Sequence, residues 1–220
     1  MSLASCDMAE LTKRLRLEPV GPDNADDLWL VHGDDEVWPW YGGTMPSREQ
    51  VERWAKSMGE SWRSHGVGKW IAYDRVSGEV VGRGGLGRTP LDDDWGRVYR
   101  FLPAEPWVDV AHEVPHPSVV HANWLELGWA LRHQYWGRGY ATEIGRAGLA
   151  YAFDVLGMRA VVSCTDRRNV RSHAVMERIG LRYAGELWSE EFEGRDGDPP
   201  MTVCVLLRRE WERSSPTRAR

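Results

Sequence analysis

Two glycines one residue apart stand in Gln134-Tyr135-Trp136-Gly137-Arg138-Gly139-Tyr140-Ala141-Thr142, where a strand-like segment gives way to a helix-like one. Glycines at such a point let the backbone fold so that successive N–H groups face the same way. The helix that follows adds unpaired N–H donors and about half a positive charge at its N-terminus. The chemistry on offer is capture of a phosphate or pyrophosphate by main-chain amides, with no lysine required. The same glycines would also serve a tight strand-to-helix connection in which they only save space. Two rival nucleotide motifs fail. Gly82-Arg83-Gly84-Gly85-Leu86-Gly87 spells GxGxxG after a strand, but Arg88-Thr-Pro-Leu-Asp-Asp-Asp follows it, which is not a helix. The dinucleotide mechanism therefore has no helix dipole to use. No Gly-Lys-Ser/Thr ends either turn, so a Walker A loop is excluded as well. His112, His116 and His121 lack ligand spacing, and no metal site is expected.

The elements that must position this turn follow from periodicity and capping signals. Leu15–Val20 alternates as a strand and is broken by Gly21-Pro22; Asp23–Val31 reads as a short helix. Asp34–Tyr41 reads as an aromatic, acidic loop. Ser47 with Gln50 forms a capping box opening a helix that carries Val51, Trp54, Ala55, Met58 and Trp62 on one face. Trp70–Tyr73 and Glu79–Gly87 read as a hairpin. Asn123–Arg132 is a strand, His133–Gly139 the turn, and Tyr140–Leu156 a helix stopped by Gly157. Arg159–Cys164 reads as a buried strand, and Asn169–Ile179 as a helix capped by Asn169 and stopped by Gly180. Leu181–Glu186 and Met201–Arg208 close the sheet. The domain expected is a single one over residues 14–209, with a flexible segment 1–13, a long inserted connection 88–121 and a flexible tail 210–220.

Composition bounds the function. The 220 residues are enough to bury a core without a disulfide or a metal. Lys+Arg 28 against Asp+Glu 33 gives a net charge of −5, which speaks against a nucleic-acid-binding surface. Cys6, Cys164 and Cys204 are widely spaced and odd in number, as expected of reduced thiols in a cytoplasmic protein. No apolar run is long enough for a membrane span, and no signal-type segment opens the chain. Thirteen tryptophans against three phenylalanines admit two readings: indoles paving the core, or an aromatic-walled substrate cleft.

Glu126-Leu-Gly-Trp-Ala-Leu-Arg-His-Gln134-Tyr-Trp-Gly137-Arg-Gly139-Tyr-Ala-Thr142-Glu resembles the acetyl-CoA-binding motif Q/R-x-x-G-x-G/A of the GNAT N-acetyltransferases. Asn169-Val-Arg-Ser172-His-Ala-Val-Met176-Glu-Arg-Ile-Gly180-Leu resembles the N-x-x-S…G-F/L block of the Rim-type subgroup, which contains ribosomal-protein N-terminal acetyltransferases. Either block alone is weak; the pair in this order and separation is specific. The likeness extends more weakly over about residues 14–208.

The resemblance implies an α+β fold of the α/β type: a central mixed, mostly antiparallel twisted sheet, splayed between its fourth and fifth strands and flanked by helices. It implies acetyl-CoA as acetyl donor, with backbone amides from Trp136 through Gly137, Arg138, Gly139, Tyr140 and Ala141 to Thr142 on the pyrophosphate, and Gln134 opening the motif. The backbone of Trp129, Ala130 and Leu131 would pair with the pantetheine arm, as would the Asn169 side chain. By the same resemblance Ser172 protonates the departing thiolate and Glu126 takes the proton of the attacking amine. Asp35, Trp38, Trp40 and His65 lie in segments that wall the acceptor side in the family. The acceptor is then a protein N-terminal or small-molecule amine, met directly in a ternary complex, and the family admits a homodimer. The alternative on the same fold is a non-catalytic acyl-CoA-binding sensor, which needs the turn but neither Glu126 nor Ser172.

Overall fold

The computed structural model describes residues 9–41, 43–88, 98, 101–102, 123–187 and 201–214. Cys6, the three histidines of the long connection and the final six residues fall outside them. Among the described residues the strands are β1 (Glu10–Leu11), β2 (Leu15–Pro19), β3 (Lys69–Asp74), β4 (Val80–Gly87), β5 (Trp124–Leu131), β6 (Ala160–Asp166), β7 (Arg182–Leu187) and β8 (Met201–Leu207). The α-helices are α1 (Ala25–His32), α2 (Arg48–His65), α3 (Tyr140–Ala150), α4 (Val170–Arg178) and α5 (Arg208–Ser214). The strands hydrogen-bond in the order β1-β2-β3-β4-β5-β6-β8-β7. The sheet is mixed and mostly antiparallel, β5 and β6 being the parallel pair among the described registers.

The chain gathers into two compact units, one of residues 1–87 and 128–148, the other of residues 88–127 and 149–220. β5 passes from the second into the first.

In the first unit α1 and α2 bury Leu28, Val31, Val51 and Ala55 with Val20, Ile71, Tyr73, Val80 and Ala130. The capping box of α2 forms as its sequence dictates: Gln50 N–H donates to Ser47 Oγ at 3.2 Å, and Ser47 N–H to Gln50 Oε1 at 2.7 Å. The helix ends at Gly66, in the left-handed region. The GxGxxG run has a packing explanation. A Cβ on Gly82 would lie 2.4 Å from the Ala130 carbonyl oxygen, and one on Gly84 would lie 2.5 Å from the Ile144 side chain. These glycines let β5 and α3 approach β4. Trp62 and Trp70 are buried with ring centroids 5.4 Å apart, whereas Trp29, Trp38, Trp54, Trp129 and Trp136 are half-buried. The core-paving reading therefore holds for Trp62 and Trp70.

In the second unit β6 and β8 pair along seven residues, from Ala160↔Leu207 to Asp166↔Met201. Val98 and Leu102, two described residues of the long connection, pack there with Trp124, Ala160, Val162, Leu187, Val203 and Val205. The β5–β6 register covers only Trp124↔Ala160, Leu125↔Val161 and Glu126↔Val162. Pairing thus stops at Glu126 although both strands continue. These are the fifth and sixth strands because the two-residue β1 shifts the expected count by one. The helix expected to run to Leu156 is α-helical to Ala150 and closes in a π-helical turn, Tyr151–Val155. Where the sequence suggests a loose tail from Glu210, α5 forms instead: Trp211 stacks on Phe153 at 5.8 Å and its Nε1–H donates to Asp154 at 3.1 Å.

Candidate active site

The glycine turn begins where β5 ends. Gly137 and Gly139 have φ of +73° and +79°, the left-handed region that costs other residues about 1–2 kcal/mol. A Cβ on Gly137 would meet nothing within 4 Å, and one on Gly139 only Arg14 Nη2 at 3.5 Å. Backbone direction, not space, is what these glycines supply. The first bond into α3 runs from Glu143 N–H to the Gly139 carbonyl at 3.1 Å, which sets the helix start, and the N-terminal amides it presents, at Gly139–Ala141, while the Trp136 N–H already donates to the His133 carbonyl at 3.0 Å.

Side chains fasten this turn. Arg14 Nη1 donates to the Arg138 carbonyl at 2.8 Å, and the guanidinium lies 4.2 Å from the Tyr140 ring centre. Glu143 receives the Thr12 hydroxyl at 2.5 Å, the Arg14 amide at 2.7 Å and Arg14 Nε at 2.8 Å. Burial works to raise the Glu143 pKa, but these donors and the Arg14 charge outweigh it, leaving the carboxyl below its usual value. The Tyr140 hydroxyl donates to Asp74 at 2.7 Å. Arg138 and Gln134 are exposed, while Thr142 is buried.

On β5 two of the carbonyls assigned to the pantetheine arm are engaged by the chain itself. The Tyr41 hydroxyl donates to the Trp129 carbonyl at 2.9 Å, and Trp136 Nε1–H to the Leu131 carbonyl at 2.8 Å. The Arg132 N–H donates to Val81 O at 3.0 Å, continuing the ladder toward β4.

In the second unit Asn169 caps α4, its Oδ1 accepting the Ser172 N–H at 3.1 Å. The cap uses the backbone of Ser172 and leaves its hydroxyl out. Glu126 is half-buried on β5 opposite Val162. Burial pushes the Cys164 thiol well above its ordinary pKa, and the Glu126 carboxylate adds to the effect.

The acceptor-side residues divide. Trp38 Nε1 donates to Asp35 at 3.3 Å, and Trp40 follows in the same short 3₁₀ segment. His65 sits at the far end of α2, about 16 Å along the axis from Trp54. Arg14 and Glu143, whose contacts are 129 residues apart in the chain, carry no local sequence signal. Nor do His32, Tyr41 and Arg83. Arg83 Nε donates to His32 Nε2 at 3.2 Å with both residues buried, and its guanidinium lies 5.0 Å from the Tyr41 ring centre. Arg83 was hidden inside the GxGxxG run, where the glycines draw the eye.

The family model described as acetyltransferase (GNAT) domain matches residues 14–182. A relative from Aspergillus fumigatus, named FsC-acetyl coenzyme A-N(2)-transacetylase, is 27% identical over 222 residues, covering 95% of this chain and 81% of its own. YkkB of Bacillus subtilis is 26% identical over 175 residues, 79% of this chain and 85% of its own. Among solved structures, the ribosomal-protein-S5-alanine acetyltransferase from Vibrio fischeri superposes with a TM-score of 0.65 at 11% identity, covering 92% of this chain and 98% of that one. A GNAT acetyltransferase from Bacillus anthracis gives 0.64 at 16% identity, over 92% and 99%. Those two likenesses speak for the fold.

Proposed function

The chain belongs to the GNAT acetyltransferase family, whose members use acetyl-CoA as acyl donor, and on that premise we propose that it transfers acetyl directly to a primary amine in a ternary complex. The observation that carries this reading is the pair of left-handed glycines, Gly137 and Gly139, at the start of α3, fastened through the Arg138 carbonyl. A pyrophosphate there would meet the amides of Gly137 to Ala141 and the positive end of the helix, the Trp136 amide being held by the His133 carbonyl, with the exposed Arg138 guanidinium able to approach from solvent. The A. fumigatus relative, named for acetyl coenzyme A and alike over 95% of this chain, supports the donor.

The pantetheine arm then runs along the backbone of Trp129–Leu131, as an added strand would. Because the Trp129 and Leu131 carbonyls already hold side-chain donors, the arm must use the remaining backbone groups there or displace those donors. Asn169 keeps its Nδ2–H groups for the arm while Oδ1 caps α4. In the transfer the amine lone pair forms a bond to the acetyl carbon, the C–S bond breaks, Glu126 accepts the amine proton and the Ser172 hydroxyl protonates the thiolate, solvent then returning a proton to Ser172 as Glu126 releases its own. A thiolate is a tolerable leaving group, so both proton transfers contribute modestly, roughly 10²–10⁴-fold each at most, beside the gain from holding donor and acceptor together.

The test is a calorimetric titration of the purified chain with acetyl-CoA, with CoA and NADH alongside. Micromolar binding lost in Gly137→Glu establishes the socket, and thiol release with an amine panel then reads turnover. A Glu126→Ala/Ser172→Ala double variant that binds acetyl-CoA normally but turns over slowly is the expected result. Binding without turnover on any amine would favour the acyl-CoA sensor, and absence of binding would sink the reading.

A further inference from the structure

Among its described residues the first unit holds a buried cation with no carboxylate within ion-pair distance. Arg83 is 7% exposed and His32 3%. Arg83 sits opposite Ile71 in the β3–β4 register, and Ile71 packs with Leu28 and Val31 of α1 and with Val51 and Ala55 of α2. Its neighbours are aromatic: the Tyr41 ring 5.0 Å from the guanidinium carbon, and His32 between Tyr41 and Trp54 at centroid distances of 5.1 and 5.3 Å. The one side-chain hydrogen bond Arg83 makes among the described residues is from Nε to His32 Nε2 at 3.2 Å, and no carboxylate there lies within ion-pair distance of it. An arginine cannot shed its proton, so a desolvated guanidinium without an anion is costly.

His32 cannot supply the missing charge. Its Nε2 accepts the Arg83 hydrogen bond, so in the neutral ring the proton is on Nδ1. That Nδ1 is itself buried and has no hydrogen-bond partner. Burial, with the Arg83 charge adding to it, pushes the His32 pKa down to about 3, so the ring stays neutral at physiological pH. Among the described residues the cluster therefore holds one buried donor without a partner, His32 Nδ1, and a guanidinium whose side-chain bonding stops at the one from Nε. It adjoins the backbone assigned to the pantetheine arm, since the same Tyr41 hydrogen-bonds the Trp129 carbonyl on β5. Tyr41 is 38% exposed, so the cluster reaches solvent at that edge.

We infer that Arg83, walled by His32, Tyr41 and Trp54, is a specificity-determining anchor for a carboxylate carried by the amine acceptor, which makes that acceptor a small-molecule amino acid rather than a protein N-terminus. A planar carboxylate matches the guanidinium fork and would neutralise the buried charge. A peptide N-terminus presents an amide carbonyl at the corresponding place and leaves the charge unpaired. Discrimination by an unmatched buried polar group is steep, whereas added apolar contact discriminates weakly. The inference rests on the proposed acetyl transfer, deepening it by naming the acceptor class.

The experiment uses matched pairs, free amino acids against their carboxamides, on the full chain and on Arg83→Met, which keeps length and removes charge. Acetyl-CoA titration of both forms comes first: equal affinity shows that the variant is folded and that the donor site is intact. Thiol release should then show KM at least tenfold lower for acids than for amides in the unmodified chain, with the preference erased in Arg83→Met. A chain that acetylates the two members of each pair equally, or prefers the carboxamides, overturns the inference while leaving acetyl transfer standing. If no amine is acetylated, the transfer reading fails separately, and thermal shift with N-acetylated amino acids and their amides decides the anchor. Stabilisation by the acids alone, lost in Arg83→Met, supports it; equal or absent stabilisation overturns it.

Discussion

Arg14 and Glu143 form a two-sided clasp: Glu143 Oε1 receives the Arg14 backbone amide at 2.7 Å, and Oε2 receives its Nε at 2.8 Å. The far end of the same guanidinium holds the Arg138 carbonyl. The residue between the two left-handed glycines is thereby tied, through Arg14, to the segment entering β2.

Breaking that clasp should harm donor binding before it harms folding. Arg14→Ala is expected to weaken acetyl-CoA binding by about tenfold, since a charge-assisted bond contributes roughly 1.5–3 kcal/mol, and to leave KM for the amine unchanged. Calorimetry and a two-substrate kinetic matrix read the two effects apart. Glu143→Gln tests the pH side. The folded carboxyl is held below its ordinary 4.5, so its stabilisation is present above that value and is lost as pH falls through the folded one. Acid unfolding followed by far-UV dichroism should be shallower in the glutamine variant below pH 4.5.

Asn169 is expected to serve twice, and the two duties separate by substitution. Asp is as good an N-cap as Asn but has no N–H to offer. Asn169→Asp should keep the melting temperature within a degree or two and raise KM for acetyl-CoA. Asn169→Ala should cost about 1 kcal/mol of stability as well. A parallel loss of stability and affinity in both variants would reduce Asn169 to a cap.

His32 makes the fold acid-sensitive. Its pKa is lowered from 6.5 to about 3 in the folded state, so the unfolded chain binds the extra proton as pH drops below 6.5. Stability from this group is complete above the unfolded value and falls on acidification. Between pH 7 and 5 the loss amounts to about 2 kcal/mol, at 1.36 kcal/mol per unit. Urea unfolding at the two pH values, repeated on His32→Gln, should show most of that difference disappear.

Cys164 should be chemically quiet. Burial and the Glu126 carboxylate keep its thiol protonated at neutral pH, and burial likewise raises Cys204. Iodoacetamide at pH 7 is expected to label neither at an appreciable rate in the folded chain. Cys164→Ala should turn over within a factor of three of the unmodified chain. A collapse in rate would point to an acyl-cysteine intermediate in place of direct transfer.

What could be read from the sequence was what local rules govern. Ser47 with Gln50 fixed the start of α2, Asn169 the start of α4, and Gly137 with Gly139 the turn, because capping and left-handed φ involve residues a few positions apart. The mixed, mostly antiparallel sheet and its splay came by resemblance. What escaped was set by contacts between distant segments: the Arg14–Glu143 clasp and the Arg83–His32 pair. Local pattern also misled at the C-terminal end, where Trp211 docks on Phe153 and turns a polar segment into α5.

The discontinuity of the first unit has a consequence during synthesis. Its N-terminal portion ends at Gly87, and its remaining residues, 128–148, are made only after the intervening stretch. At typical elongation speeds of about 5–20 residues per second, the interval from residue 88 to residue 148 lasts roughly 3–12 s. Until Leu131 has been added, β4, buried over Val80–Leu86 in the finished chain, has no complete β5 to cover its outer edge. A nascent chain on the ribosome thus presents an apolar, unpaired edge for seconds, the kind of edge that recruits other strands. Expression yield should respond to translation speed across residues 88–148 and to holdase chaperones, independently of the stability of the finished protein.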